Sequence, residues 1–397
     1  MRYFLSVAFM VGIVAFSDPA AAQKAGTKEK DKKTSEEPTL TEFAGKSVEE
    51  WIKAIASRDR SKGEVAIQTV QNFGARSYEA IPALLAELEK HSPSAPIDIS
   101  IRVNATMALG NIFNSFDDPQ PKHVERAIKV LNRLLNDSQA IVRTQAALAL
   151  GKLGPAAAPA IPSLLTTLRD RGTWETRQAA AMALGSVGQD TRKKVPSIDA
   201  IVGLGKALGI EPTSAVRLAI VQSLGRLGHG AATSHQKQLI QYLDPVSTTR
   251  EAEPAVRIWA HMAVMSLANE FSESRLASIA KMLDYHDPLV RVQAAQALGS
   301  CGPKAKSAVL PLTSALKDKQ TDVVMTSLWA LGRMEGAAMS AVPAIKSVVA
   351  DPKAPVPMKK LAEMVIDTIE GRTKDKSKDN TKDKTKDKGK SKTKTDD

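Results

Sequence analysis

Apolar side chains recur along most of this chain with the three-to-four-residue spacing of an amphipathic helix. The clearest example runs from Asp287 to Asp318, with the sequence DPLVRVQAAQALGSCGPKAKSAVLPLTSALKD. Asp287 and Pro288 are expected to begin one helix, as N-cap and first helical residue, and Gly302 to end it before a second helix. Because one pair of such helices cannot bury both apolar faces, the pattern predicts packing against neighbouring pairs.

A unit of fixed length recurs within this pattern, an arginine followed eight residues later by a glycine. The complete copies are Arg102 with Gly110, Arg143 with Gly151, Arg177 with Gly185, Arg217 with Gly225 and Arg291 with Gly299. Two further copies, Arg257 with Met265 and Val324 with Gly332, replace one of the two residues. Successive units begin 41, 34, 40, 40, 34 and 33 residues apart, which predicts an array of repeats. A glycine inside a helix costs about 1 kcal/mol relative to alanine, so glycines at one register predict the close approach of a neighbouring helix.

The repeated segments resemble a known family of helical repeats. Segments such as VRTQAALALGKLG and VRVQAAQALGSCG, followed by xxPxLxxxLxD, resemble the HEAT repeat and in particular the HEAT-like repeat of phycobilisome lyases. The resemblance covers roughly Val48 to Ile369. It implies an all-α fold, an α-α superhelix (HEAT-like solenoid) of about nine helix pairs with disordered charged termini.

The resemblance also implies a ladder between repeats, formed by an aspartate and an arginine about six residues later. Asp137 and Arg143 match that spacing, whereas Asp170 with Arg177 and Asp287 with Arg291 do not. The repeated arginines are expected to bond carboxylates or carbonyls between repeats rather than a ligand. These ladder arginines are Arg143, Arg177, Arg217, Arg257 and Arg291.

The ends of the chain differ in composition from the repeats. Residues 1–22 have the pattern of a secretory signal peptide: Arg2, an apolar stretch from Leu5 to Phe16, and a cleavage site after Ala22. A buried N-terminal helix is the alternative. Residues 23–46 are expected to be a disordered linker, residues 47–371 the solenoid and residues 372–397 a disordered tail. The chain is therefore expected to be secreted or periplasmic, with no membrane span after cleavage of the signal peptide.

The net charge of +12 is uneven, because the tail alone contributes +5 through its Lys/Asp-rich TKDK repeats. The simplest role for the tail is a solubilising spacer. The alternative is salt-sensitive adhesion to an anionic cell-envelope polymer. The interleaved aspartates and the mild charge of the repeats argue against nucleic-acid binding.

Motifs of catalysis are absent from the sequence. None of the six histidines is followed by glutamate, so the iron-binding His-Glu pairs of deoxyhypusine hydroxylase, a HEAT-like enzyme, are missing. Asp284, His286 and Asp287 cluster, but an N-cap turn explains them better than a metal site. Cys301 occupies an apolar register and is expected to be a core thiol. The sequence therefore predicts a non-catalytic protein-interaction scaffold without cofactor or metal, its alternatives being an enzyme of the hydroxylase or lyase type and the tail-mediated polymer binder.

In HEAT folds the VRxxAAxALG helices line the concave side, and positions one, five and nine after the arginine share a face. We call this face the strip. It comprises Val103, Met107, Asn111, Thr144, Leu148, Lys152, Gln178, Met182, Ser186, Leu218, Gln222, Arg226, Ile258, Met262, Ser266, Val292, Gln296, Ser300, Met325, Trp329 and Arg333. Lys152, Arg226, Trp329, Arg333 and Met182 are the candidate anchors for an unidentified protein partner. The alternative is that the apolar members pack between repeats, and the exposure of Trp329 and Met182 distinguishes the two.

Irregular segments are also predictable. Ser47 and Glu50 have the spacing of a capping box, and the helix from Glu64 to Phe73, which lacks the arginine, is expected to be a terminal capping unit. A loop is expected from Pro245 to Pro254. The last unit has Pro357 where the arginine would stand, which indicates a C-terminal cap.

Overall fold

The computed structural model describes residues 42–90, 99–115, 120–170, 172–189, 196–228, 233–249 and 252–372. The expected signal peptide, most of the expected linker and nearly all of the expected tail lie outside these ranges. The chain divides into two units, Met1–Arg275 and Leu276–Asp397.

The first unit opens with a short antiparallel ribbon, β1 (Glu42–Phe43) with β2 (Lys46–Ser47), in which Glu42 faces Ser47. Helices follow it to the end of the unit. They are α1 (Val48–Ile55), α2 (Arg60–Thr69), α3 (Ile81–Lys90), α4 (Ile99–Asn114), α5 (Pro121–Leu134), α6 (Ala140–Leu153), α7 (Ile161–Thr167), α8 (Trp174–Val187), α9 (Ile198–Leu208), α10 (Ser214–Gly228), α11 (Thr233–Thr248) and α12 (Pro254–Ala268). Two 3₁₀ segments, Val70–Ala80 and Gly154–Ala160, precede α3 and α7.

The second unit continues the pattern. Its helices are α13 (Glu273–Ala280, which begins in the first unit), α14 (Pro288–Ser300), α15 (Val309–Ala315), α16 (Thr321–Arg333), α17 (Val342–Ala350) and α18 (Val356–Ile369). The 3₁₀ segments here are Lys281–Asp284, Gly302–Ala308 and Glu335–Ala341. As expected, Asp287 caps α14 by accepting from the backbone N–H of Leu289, and Pro288 is its first residue.

The described helices form nine consecutive pairs, from α1–α2 to α17–α18. Within each unit, the second helices of successive pairs pack side by side: α4, α6, α8, α10 and α12 in the first, and α14, α16 and α18 in the second. Their facing sides are alanine, leucine and valine, and all are buried. The prediction of an all-α stack of helix pairs that bury their apolar faces against one another is confirmed.

The recurring glycines lie where two second helices meet. A Cβ atom on Gly185 would lie 2.9 Å from the Cα of Ser223 on α10, and one on Gly299 would lie 2.8 Å from the Cα of Ala330 on α16. Neither position could hold a side chain without separating the helices. The predicted close approach at this register is therefore confirmed.

The start of the first unit corrects one predicted boundary. The capping box of Ser47 and Glu50 is present at α1, but residues 42–46, expected in the disordered linker, form the β-ribbon. Trp51 of α1 donates its indole N–H to the backbone oxygen of Phe43 over 3.0 Å. This bond from a core residue fixes the ribbon against the first helix, which the charged composition of the segment does not reveal.

Two other segments differ from expectation. The terminal helix expected from Glu64 to Phe73 is α2, which ends at Thr69 and continues as a 3₁₀ segment. The predicted start of the loop at Pro245 is wrong, because α11 continues through that proline to Thr248. Pro245 lies in the last turn, where only one backbone hydrogen bond is lost.

One stretch, Ala140–Thr167, is apolar and long enough to cross a membrane by composition. It is not one helix, however, but α6, a 3₁₀ segment and α7. The chain turns at Gly154, which has a φ of +59°, and neither helix has the roughly 20 residues that a span requires. The stretch is therefore a repeat of the solenoid.

Candidate protein-interaction surface

The arginine that leads each repeat lies near the start of the second helix of a pair. Arg102 of α4 is the most buried: its guanidinium pairs with Asp137, with Nε to Oδ2 at 2.8 Å, and both side chains have no solvent exposure. Asp137 lies in the turn before α6 and also accepts the backbone N–H of Gln139. The pair therefore connects one repeat to the turn of the next.

Three of the ladder arginines follow the same rule, each pairing with the acid before the next second helix. Nε of Arg143 lies 2.7 Å from Asp170, that of Arg177 2.8 Å from Glu211, and that of Arg291 2.7 Å from Asp318. Each also donates through Nη1 to a carbonyl in its own preceding turn, as Arg143 does to Asp137 O at 2.8 Å. The carboxylate partner thus lies in the following repeat, and the preceding turn contributes a backbone oxygen, that of Asp137, Asp170 or Tyr285.

These pairs shift the titration of their members. The hydrogen bonds that Arg177 donates to Glu211 raise the pKa of Arg177. Burial alone would raise the pKa of Glu211, but Arg177 and the N–H of Thr213 outweigh it and hold that pKa below its ordinary value. The Asp318 carboxyl follows the same balance with Arg291 and Gln320.

No ion pair is described for the other two ladder arginines, Arg217 and Arg257. The Nε atoms of Arg217 and Arg257 are buried and find no hydrogen-bond partner among the described residues. The ladder pair is therefore described at Arg143, Arg177 and Arg291.

The strip lies on the same second helices, on a different side from the ladder. Met182 is 43% exposed and Trp329 is 38% exposed, and Met107, which was not singled out as an anchor, is 41% exposed. These side chains are therefore partly accessible to solvent, although the ring of Trp329 also lies over Gly299 of α14 in the preceding repeat. By contrast, Ile258 and Met262 of α12 are buried, so packing accounts for them.

Two cations of the strip sit in partly desolvated places. The aliphatic stem of Lys152 lies over Gly110 of α4, and its ammonium donates to Oδ1 of Asn111. Desolvation lowers the pKa of Lys152. Arg226 donates to the Ser223 hydroxyl over 3.2 Å, has a buried Nε without a partner, and has its pKa lowered by burial.

Asn111 extends this arrangement by one repeat, because its amide donates to Gln71 over 2.7 Å. A row of polar contacts therefore crosses three repeats from Gln71 through Asn111 to Lys152. The remaining charged anchor, Arg333, is exposed at the end of α16.

A buried histidine lies in α12. His261 is within 3.3 Å of Nη1 of Arg275, which also pairs with Asp244 over 2.6 Å. Burial, together with Arg275 and Arg257, lowers the pKa of His261 to about 4. The ring is therefore neutral at neutral pH and accepts from Arg275, which makes it part of the packing of this repeat.

The metal-ligating and nucleophilic side chains of the described residues do not come together in a metal or catalytic site. Within the described ranges no group of three or more His, Cys, Asp or Glu side chains is placed to hold a metal ion. Cys301 is buried, as expected, and donates to the carbonyl of Ala297 over 3.4 Å. Burial raises the pKa of its thiol to about 12.

A sequence model of HEAT repeats matches residues 81–185 and 276–364. This chain carries HEAT repeats. Both matched ranges include ladder pairs described above, Arg143–Asp170 in the first and Arg291–Asp318 in the second. No curated protein matches the chain.

Solved structures with HEAT repeats are similar to this chain. Importin β aligns with a TM-score of 0.51 and 14% identity over 80% of this chain and 47% of its own. A chain of the AP-3 complex in an intermediate open conformation gives 0.51 and 14%, over 77% of this chain and 54% of its own. The complex of CpcE and CpcF of phycocyanin lyase from Nostoc sp. gives 0.40 and 18%, over 86% and 99%. At these identities the likeness concerns the fold, and this chain spans about half of the first two relatives.

Sequence reasoning missed several of these residues. Arg102 was recognised as a repeat arginine but not as half of a buried ion pair, and Asn111 was one strip position among many. The signal for the pair was available: the acid that ends the xxPxLxxxLxD segment recurs three or four residues before each next helix, as Asp137, Asp170 and Asp318 do. No comparable signal marks the contact between Asn111 and Gln71.

Proposed function

We propose that this chain is an exported, non-catalytic scaffold whose HEAT repeats bind a partner protein along the strip. The observation that carries the proposal is the exposure of large apolar side chains, Met107 and Met182 in the first unit and Trp329 in the second, at one repeated register. Exposed methionine and tryptophan at a shared register favour recognition of a partner, because such side chains give large contact areas.

The fold supports the same conclusion. Solenoids of stacked helix pairs present extended surfaces made of equivalent positions from successive repeats, and such surfaces suit long partner segments. Among the similar structures, the one from Nostoc sp. is itself a complex of two lyase proteins, CpcE and CpcF. We propose a non-catalytic role for two reasons: the chain is built from helical repeats, and its sequence lacks catalytic motifs.

Substitution of one exposed anchor tests the proposal. Met182→Glu places a charge at the strip, and Ile198→Glu makes a matched change at an exposed apolar residue of α9, away from the strip. Both variants and the unaltered protein would be used to capture proteins from an envelope extract. A partner recovered by the unaltered protein and by Ile198→Glu, but not by Met182→Glu, is the expected result.

Thermal unfolding controls for folding, since both substitutions are at exposed sites and should leave the melting temperature nearly unchanged. Equal recovery by the three proteins would contradict the use of the strip. Export is tested separately, by locating the mature protein and by sequencing its N-terminus, which should begin at Gln23. A purified protein that binds iron tightly would instead favour an enzyme of the hydroxylase type.

A further inference from the structure

The charge of the strip indicates the kind of partner it fits, an inference that rests on the proposed function. None of its 21 positions is acidic, although the chain has 43 Asp and Glu residues. Its charged members are three cations, of which Lys152 and Arg226 belong to the first unit. The strip of this unit therefore combines positive charge with exposed apolar side chains.

Lys152 and Arg226 differ from Arg143, Arg177 and Arg291 in the groups that surround them. Among the described residues, the ammonium of Lys152 donates to the amide oxygen of Asn111 and the guanidinium of Arg226 donates to the Ser223 hydroxyl. Neither has a carboxylate partner in the described part of the chain. A carboxylate supplied by a partner would form a charge-assisted bond with each group in a partly desolvated place, where it is stronger than at an open surface.

The spacing of the anchors sets the length of the partner. Lys152 is near the end of α6 and Arg226 near the end of α10. Met182 lies on the intervening α8, about one helical turn before the register that the two cations share. Adjacent helices lie about 8–10 Å apart, so the two cations are roughly 16–20 Å from each other. An extended peptide advances about 3.3 Å per residue and covers that distance in about five or six residues.

We propose that the first unit binds an extended acidic peptide segment of a partner protein, with two carboxylates on Lys152 and Arg226 and an apolar side chain between them on Met182. Arg143 and Arg177 take no part in this recognition, because each already pairs with a carboxylate of this chain.

A random 12-residue peptide library displayed on phage, selected on the full-length protein, tests the pattern without knowledge of the partner. The selected peptides should carry two acidic residues about five or six apart with an apolar residue between them. Failure to select any peptide, or selection of neutral or basic sequences, would overturn the proposal.

The most enriched peptide would then be synthesised with a fluorescent label, beside a copy with Gln and Asn in place of Glu and Asp. Binding should weaken about tenfold for Lys152→Gln, for Arg226→Gln, and for the amide copy of the peptide. Lys152→Arg should restore most of the affinity. Lys206→Gln, at a lysine of α9 outside the strip, is the matched control and should bind as the unaltered protein does.

The outcomes separate this inference from the proposed function. Peptide binding that is lost in Met182→Glu but unchanged in Lys152→Gln and Arg226→Gln overturns the acidic specificity and leaves the strip as the binding surface. Binding unaffected by all three variants overturns both. Tighter binding of a labelled single-stranded 20-nucleotide DNA or of a polyphosphate through Lys152 and Arg226 would replace the acidic peptide by another anion.

Discussion

Two sets of basic side chains lie on the second helices of the first unit, and they differ in the groups that they contact. On α6, Arg143 at the start of the helix pairs with Asp170 of the next repeat, whereas Lys152 near the end of the same helix reaches only the amide of Asn111. Both groups are partly buried. The difference is that, within the part of the chain that the structure describes, a carboxylate neutralises the charge of Arg143 and none neutralises that of Lys152.

This contrast separates residues that hold repeats together from residues available to a partner. A cation with a local carboxylate contributes to folding, and its removal leaves an uncompensated acid behind. A cation without one contributes little to folding but retains its capacity for a charge-assisted bond. Three substitutions and one pH titration test whether structural charges and charges available to a partner are distinct. They follow from the largest expected effect to the smallest.

The strongest test is the buried ion pair. Asp137→Ala leaves Arg102 with no carboxylate in a place without solvent exposure, and the first unit should lose about 3–5 kcal/mol of unfolding free energy. Chemical denaturation measures the loss. Replacing both partners at once, as Arg102→Met with Asp137→Leu, should recover much of it. A single variant as stable as the unaltered protein would contradict the structural role of the ladder.

The second largest effect is a dependence of stability on pH that arises from His261, a basic group that its surroundings keep neutral. Its pKa is lowered from 6.5 to about 4 in the fold, so between these values the unfolded chain binds a proton that the folded chain does not. Stability from this group is present above pH 6.5 and is lost as the pH falls towards 4, by about 3 kcal/mol in total. Unfolding curves across this range should show the decrease, and His261→Gln should remove it. A decrease of the same size in the variant would assign it to other groups.

A smaller loss is expected at the partly exposed ladder pair on α6. Arg143→Ala removes one ion pair and two hydrogen bonds to backbone carbonyls, and should cost about 1–2 kcal/mol. Both side chains retain some solvent exposure, so water compensates part of the loss. The same chemical denaturation assay measures it. An unchanged midpoint would place Arg143 with the strip cations instead.

The smallest change in unfolding free energy is expected at Lys152, which lies nine residues after Arg143 on α6. Lys152→Ala removes a cation that has no carboxylate partner, so the unfolding free energy should change by no more than about 0.5 kcal/mol. This variant is the matched control for Arg143→Ala. A loss as large as that of Arg143→Ala would mean that Lys152 is a structural residue and would weaken its assignment as a partner anchor.

The repeat pattern predicted the fold well because each of its signals acts locally. Asp287 followed by Pro288 favours the start of a helix, and Gly185 and Gly299 lie so close to the next helix that a side chain there would push the two helices apart. The pairing of charges was less accessible. Asp137 was matched to Arg143 by a spacing of six, yet it is the carboxylate of Asp170, 27 residues away, that Arg143 meets.

The sequence by itself determined the helices, their number and the face that each one buries, because helix propensity and apolar spacing are properties of neighbouring residues. Only the tertiary structure decided which charges are neutralised. Arg143 stands at the repeated arginine register and Lys152 at a strip position, but neither register names the group that the side chain contacts. Arg143 meets the Asp170 carboxylate of the following repeat and Lys152 the Asn111 amide of the preceding one, and both contacts are set by the packing of whole helices.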